Sequence, residues 1–329
     1  MDKKKLVEVK GLKTYFYVEE SVAKAVDDVS FDIYEGEVVG LVGESGSGKS
    51  VTSLSLLRLI PDPPGRIVDG EINFRGTDLL SLSWEDMRKV RGNEISMIFQ
   101  EPMTSLNPVF TIGMQMMEPI LLHQDVSEEE AFDKAVEMLE LVGISDGAKR
   151  MSDYPHQFSG GMRQRVMIAM ALACDPYFLI ADEPTTALDV TIQAQILELM
   201  LDIKKRRPES AIMLITHDLA VVAEMCTRVI VMYCGKIQEV AEIQELFDDP
   251  LHPYTRGLME SIPSVETKKD RLYTIPGNVP SIMNLPEGCS FCTRCEKKMD
   301  ICEKEVPELV EVRPGHKVRC HLYNREVNK

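Results

Sequence analysis

An α/β fold, with a mixed sheet and flanking helices, is predicted by three observations. A loop of the form G-x-x-x-x-G-K-[ST] sits between an apolar run and a helical one. Short apolar runs of strand length recur at Glu37–Val42, Ile95–Phe99, Tyr177–Glu183 and Ala211–Ile215. Several of these runs stop at polar residues, where open α/β sheets bind ligands.

The loop is Gly43-Glu44-Ser45-Gly46-Ser47-Gly48-Lys49-Ser50 and meets every required position. Its glycines let backbone N–H groups turn inward with no Cβ in the way, and the following helix start favours bound phosphate. Lys49 suits the β- and γ-phosphates, and the Ser50 hydroxyl suits Mg²⁺. A plain connecting turn would need neither Lys49 nor Ser50. The helix after the loop is expected over Val51–Ile60, with Val51, Leu54, Leu57 and Ile60 on one face and Pro61 as its stop.

Composition narrows the function classes. The chain has 329 residues, enough for one large or two modest domains. Its formal charge of −16 argues against a nucleic-acid partner. No run approaches the roughly 18 apolar residues of a spanning helix, and Met1–Glu8 has charge but no apolar signal core. Three of the eight cysteines, Cys174, Cys226 and Cys234, stand among apolar residues as buried thiols. The other five crowd into 289–320, which in a reducing compartment suggests metal before disulfide.

In chain order, residues 1–35 read as strands and include the aromatics Tyr15, Phe16 and Tyr17, any of which can pack in a sheet or stack on a base. Gly70–Gly76 reads as a strand with a turn. Gln100 follows the apolar run at Ile95, where its amide oxygen suits an Mg²⁺ or water shell. Residues 103–172 turn helical, with a capping box at Ser127–Glu130 opening an apolar stripe of Ala131, Ala135, Met138, Leu139 and Val142. Met103, Met114, Met116 and Met117 suit either core filling or an adaptable docking surface. Ser159-Gly160-Gly161 opens a helix and reads as a second anion-binding terminus or a plain N-cap. Asp182 and Glu183 end a buried strand, the first suited to Mg²⁺ and the second to a base that polarises water. His217 ends another strand and suits the γ-phosphate, holding Glu183 and water in line. Val229–Met232 and Gly235–Val240 read as a closing hairpin.

Taken in order, these motifs resemble the ATPase subunit of ABC transporters over roughly residues 5–250. The Walker A loop is 43–50, the Q-loop begins at Gln100, and the signature is Phe158-Ser159-Gly160-Gly161-Met162. The Walker B strand ends at Asp182 with Glu183 next, the D-loop is Ala187-Leu188-Asp189, and the switch histidine is His217. Phe158 and Met162 depart from the common L-S-G-G-Q signature, while its Ser and Gly residues remain. The resemblance implies a P-loop NTPase cassette with an antiparallel β subdomain and an inserted helical subdomain (about 103–172). It implies ATP and Mg²⁺, with Ser50, Gln100 and Asp182 as metal ligands and Phe16 as the first choice for stacking on adenine. It also implies head-to-tail pairing with a paralogous subunit or a second copy. Each ATP would then lie between one Walker A loop and the other subunit's Ser159–Gly161, so an isolated chain would bind ATP but hydrolyse it poorly.

Gln100–Pro108, Phe158–Arg165 and Leu251–Leu258 narrow the resemblance to the di- and oligopeptide permease ATPases. That subfamily implies two membrane permease subunits, a solute-binding protein acting indirectly, and a location on the cytoplasmic face of the membrane. Nickel and oligosaccharide importers share these features. A soluble ABC ATPase working on DNA or ribosomes is the reading from another class; it would show a long coiled coil or a second cassette, and neither is present.

After residue 250 the composition shifts to Pro, Gly, Cys and charge, so residues 1–250 are expected as the nucleotide-binding domain and 251–329 as a small Cys-rich one. Cys289, Cys292, Cys295, Cys302 and Cys320 suit zinc or an iron–sulfur cluster through thiolates. The subfamily resemblance implies a [4Fe–4S] cluster on Cys289, Cys295, Cys302 and Cys320, with Cys292 extra to that pattern.

Overall fold

The computed structural model describes residues 4–100, 105–185, 190–261 and 273–324. The chain divides into two compact units. One comprises Met1–Leu6, Ile33–Glu37 and Ser81–Leu214, the other Val7–Asp32, Val38–Leu80 and Ile215–Lys329. The strands are β1 (Lys5–Val18), β2 (Ser21–Tyr34), β3 (Val38–Val42), β4 (Gly65–Phe74), β5 (Thr77–Asp78), β6 (Ile95–Ile98), β7 (Phe178–Asp182), β8 (Ala211–Ile215), β9 (Arg228–Tyr233), β10 (Lys236–Glu242), β11 (Leu309–Arg313) and β12 (His316–Arg319).

In the unit that contains the phosphate loop, β1, β2, β4 and β5 form a sheet in the order β2-β1-β4-β5, with β4 antiparallel to both β1 and β5. The two N-terminal strand signals merge into one 14-residue strand, β1, because Gly11 takes φ +56°. Its N–H donates to Ser30 Oγ at 2.8 Å, so the register shifts between Lys10 and Lys13 without ending the strand. A second set of strands runs β11-β12-β10-β9-β3. β3 is parallel to β9, and the other pairs in the set are antiparallel. Cys234 and Gly235, at φ +47° and +75°, make the tight turn of the expected β9–β10 hairpin. All of β3 is buried, and each of its Val and Leu side chains contributes about 1.5–3 kcal/mol on burial. That rigid strand delivers the chain into the loop.

The helix after the loop covers Lys49–Leu56, shorter than its sequence pattern. Pro61 is not its stop. Arg58 enters the left-handed region at φ +52°, and its Nη1 donates to Leu79 O at 3.2 Å, so a tertiary contact ends the helix first.

The other unit carries β8-β7-β6 in that order, with β6 and β7 parallel. The expected helical segment contains helices at Ile112–His123, Glu128–Leu141, Gly147–Arg150 and Gly160–Leu172. The capping box at Ser127 is formed in both directions, with Glu130 N–H donating to Ser127 Oγ at 3.2 Å and Ser127 N–H to Glu130 Oε2 at 2.8 Å. The methionines split by face: Met116 is core, whereas Met114 is exposed.

Candidate functional site

The phosphate loop is built from three left-handed glycines. Gly43, Gly46 and Gly48 have φ of +151°, +77° and +102°. A Cβ on Gly43 would lie 2.2 Å from Met232 O, and one on Gly48 would lie 2.4 Å from Ala25 O, so only glycine fits either place. Gly46 has no heavy atom within 4 Å of where its Cβ would be, so the loop is open there. Lys49 Nζ turns back into the loop and donates to Gly43 O at 2.8 Å and Glu44 O at 3.0 Å. Ser47 is buried and accepts through its carbonyl from Gly235 N–H at 2.9 Å. Ser50 is half-buried and Ser45 exposed. An open glycine cradle holding a lysine at its centre fits a nucleoside triphosphate.

Two features outside the sequence reading also hold this loop. Glu44 N–H donates to Tyr254 OH at 2.7 Å, and the Glu44 carboxylate pairs with Arg294 at 2.6 Å. Tyr254 had entered only as part of a subfamily string, and Arg294 was overshadowed by the cysteines on either side of it. No local spacing links either residue to a loop more than 200 positions earlier.

The aromatics of β1 separate. Tyr15 OH donates to Asp27 Oδ1 at 2.7 Å, and Asp27 also takes Lys236 Nζ at 2.7 Å. Burial pushes the Asp27 carboxyl up, but the hydrogen bonds from Lys236 and Tyr15 outweigh it and hold it below the usual range. Phe16 lies against Gly65, where a Cβ would meet its ring at 2.7 Å. Tyr17 is exposed. His217 is exposed directly after β8, and the next residue, Asp218, caps the Leu219–Met225 helix through Ala220 N–H at 2.9 Å.

In the other unit, Asp182 ends β7 and is 3% exposed. Glu183 follows at φ +47°, a conformation costly for a non-glycine and found at constrained functional positions. Gln100 Nε2 donates to Glu183 Oε2 at 3.2 Å, so the residue expected in the Mg²⁺ or water shell touches the expected base. Ser159 caps the Gly160–Leu172 helix by accepting from Met162 N–H at 3.3 Å. Ser159 and Gly160 are exposed and Gly161 half-exposed at that 13-residue helix's start. Phe158, the departure from the usual signature, is buried beneath the Arg150 guanidinium. Gln164, 1% exposed, donates to Pro184 O and so ties this helix to the residue after Glu183. The expected D-loop, Ala187–Asp189, lies outside the described residues.

The tail does not support the expected cluster. Cys289, Cys292, Cys295, Cys302 and Cys320 are all free. The segment folds back on itself, with Cys289 N–H donating to Cys302 O at 2.8 Å. Burial pushes the Cys289 thiol up to about 12 and the Cys320 thiol up to about 11. Among the described residues, no group of three or more His, Cys, Asp or Glu side chains is arranged to hold a metal ion. The [4Fe–4S] expectation on Cys289, Cys295, Cys302 and Cys320 and its zinc alternative therefore have no support in this geometry.

A glycine cradle with its lysine, a strand-end Asp-Glu pair joined to a glutamine, and an exposed Ser-Gly helix start together define a phosphate-loop ATPase. The description "ABC transporter" matches residues 26–186, and "Oligopeptide/dipeptide transporter, C-terminal region" matches residues 238–302. The chain is 55% identical to the "Probable peptide ABC transporter ATP-binding protein y4tR" of Sinorhizobium fredii, over 98% of this chain and 96% of that one. It is also 55% identical to the "Oligopeptide transport ATP-binding protein AppD" of Bacillus subtilis, over 98% of each. Among solved structures it is similar to the dimeric ATP-binding cassette MJ0796 bound to ADP and Pi. That likeness has a TM-score of 0.65 and 28% identity, covering 72% of this chain and 98% of the cassette. The chain belongs to the ATP-binding subunits of ABC transporters. Among its described residues, no helix is long and apolar enough to cross a membrane.

Proposed function

We propose that this chain is the ATP-hydrolysing subunit of a peptide importer, acting at the cytoplasmic face of the membrane beside two permease subunits that receive solute from a binding protein. Its relatives among peptide and oligopeptide transport ATP-binding proteins support the substrate class. The observation that carries the chemistry is the Gln100–Glu183 hydrogen bond at the end of a buried strand. Residues 1–250 form the nucleotide-binding cassette in this reading, with the helical subdomain at about 103–172, and 251–329 form its C-terminal region.

Each side chain has a role. The loop N–H groups and Lys49 bind the triphosphate, and Phe16 stacks on adenine. Ser50, Gln100 and Asp182 would hold Mg²⁺, which neutralises charge on the β- and γ-phosphates. Glu183 takes the proton of the attacking water, held by Gln100 on one carboxylate oxygen. His217 orients the γ-phosphate. Ser159, Gly160 and Gly161 serve the ATP of a partner subunit, a paralogue or a second copy, because an exposed helix start offers N–H groups outward. The acidic chain has no role for nucleic acid. The test is Glu183→Gln in the assembled transporter. Loss of general-base catalysis lowers ATP hydrolysis by about 10²–10⁴-fold, while ATP binding persists; an unchanged rate refutes the assignment.

A further inference from the structure

Arg294 stands inside the cysteine run, yet its partner is the phosphate loop. Its Nη1 donates to Glu44 Oε2 at 2.6 Å and its Nη2 to Glu44 Oε1 at 3.1 Å, a two-pronged pair across 250 residues of sequence. The guanidinium is itself fixed. Nε donates to Pro276 O at 3.1 Å, Nη2 to Ile275 O at 3.3 Å and Nη1 to Tyr233 OH at 3.4 Å. Arg294 is 8% exposed. The same loop residue is gripped a second time through its backbone, by Tyr254. Tyr254, Tyr233 and Phe291 pack ring to ring at centroid distances of 4.7, 5.4 and 5.4 Å, which makes the support rigid.

A carboxylate at the rim of an anion-binding loop is a liability. Left unpaired, Glu44 would repel the triphosphate, and its N–H could pull the loop into another turn. Arg294 cancels the charge and draws the carboxylate outward, and Tyr254 fixes the direction of the N–H. The open face at Gly46 is left for phosphate.

We propose that Arg294 and Tyr254 are positioning residues of the phosphate loop, so that the Cys-rich tail sets the affinity of this subunit for ATP. The proposal rests on the reading of residues 43–50 as the ATP loop. It makes the tail part of the support of the nucleotide site.

The test is equilibrium binding of Mg·AMP-PNP to the full chain by calorimetry, with thermal melts alongside. Arg294→Ala weakens binding about tenfold, which is about 1.4 kcal/mol, and Tyr254→Phe weakens it by about threefold, less than the charge loss does. Adding Glu44→Gln to Arg294→Ala removes the unpaired charge and restores binding to within about threefold of wild type; a merely structural role predicts no such rescue. If Arg294→Ala does not fold, Arg294→Gln, which keeps the length and a donor but not the charge, decides the same point. Lys49→Ala is the control for the underlying reading. If it binds like wild type, the loop assignment fails. If it loses binding while Arg294→Ala, or its Gln substitute, binds like wild type, the proposal alone is overturned. Weakened binding with no rescue by Glu44→Gln also overturns it.

Discussion

Glu239 offers the sharpest test of how the tail is held, because it is fully buried and joins three elements. Its Oε1 accepts from Leu251 N–H at 2.7 Å and pairs with His316 Nε2 at 2.7 Å, and its Oε2 accepts from His252 N–H at 2.9 Å. It thus links β10 to β12 and to the start of the Pro253–Glu260 helix that carries Tyr254. Burial pushes its carboxyl up, but the bonds from His316 and the two backbone N–H groups outweigh this and hold it below the usual range. Replacing Glu239 with Leu leaves three buried donors without that acceptor. At about 1–3 kcal/mol for each unsatisfied group the sum is roughly 3–9 kcal/mol. Local relaxation and water entry bring it to the lower part of that range, in line with the roughly 3–5 kcal/mol typical of breaking a buried pair. That is a large share of an ordinary domain stability of about 5–15 kcal/mol. Urea unfolding followed by far-UV circular dichroism measures the change. Because the helix bearing Tyr254 loses its anchor, Mg·AMP-PNP binding also weakens. A stability change below about 1 kcal/mol would show that these bonds do not hold the tail.

Two further outcomes follow from the same unit. Burial pushes His252 down to about 4, and its Nδ1 accepts from Tyr254 N–H at 3.0 Å as the cap of that helix, a role only the neutral ring can fill. With the folded value below the unfolded one of about 6.5, its contribution is complete above pH 6.5 and is lost as pH falls from there toward 4. The loss is roughly 3 kcal/mol at about 1.4 kcal/mol per pH unit, read as unfolding free energy against pH. His252→Asn keeps a capping oxygen and flattens that slope; an unchanged slope would assign the acid sensitivity elsewhere. Gly48→Ala would place a Cβ 2.4 Å from Ala25 O at φ +102°, so it lowers thermal stability by about 1–3 kcal/mol and nucleotide affinity together, and an alanine variant with wild-type calorimetry would contradict the loop geometry.

Much of the site was legible because its parts are local. Gly43–Ser50 is contiguous, and the conformation it needs is written in its glycines. Asp182, Glu183 and His217 stand out in the sequence because each ends or follows an apolar run, and those runs are strands in the structure. The Ser127 and Ser159 caps were legible for the same reason: donor and acceptor lie three residues apart. The extent of the loop helix was not, since Arg58 ends it through Leu79, 21 residues away. The link between the tail and the loop was not legible either. Five cysteines drew attention to metal, while the residue among them with a partner in the phosphate loop was Arg294.

The phosphate loop, the order of the ATPase motifs and the family are readable from the amino-acid order alone, because each depends on residues within a few positions of one another and on short-range sterics and hydrogen bonding. Folding alone brings Glu44 to Arg294 and Tyr254, gathers Leu251, His252 and His316 around Glu239, and puts the tail in the same unit as the loop. Those pairings are made by strand order and by burial of charged groups that must find partners. A carboxylate, a guanidinium and a phenol carry no periodicity that says which distant residue will satisfy them.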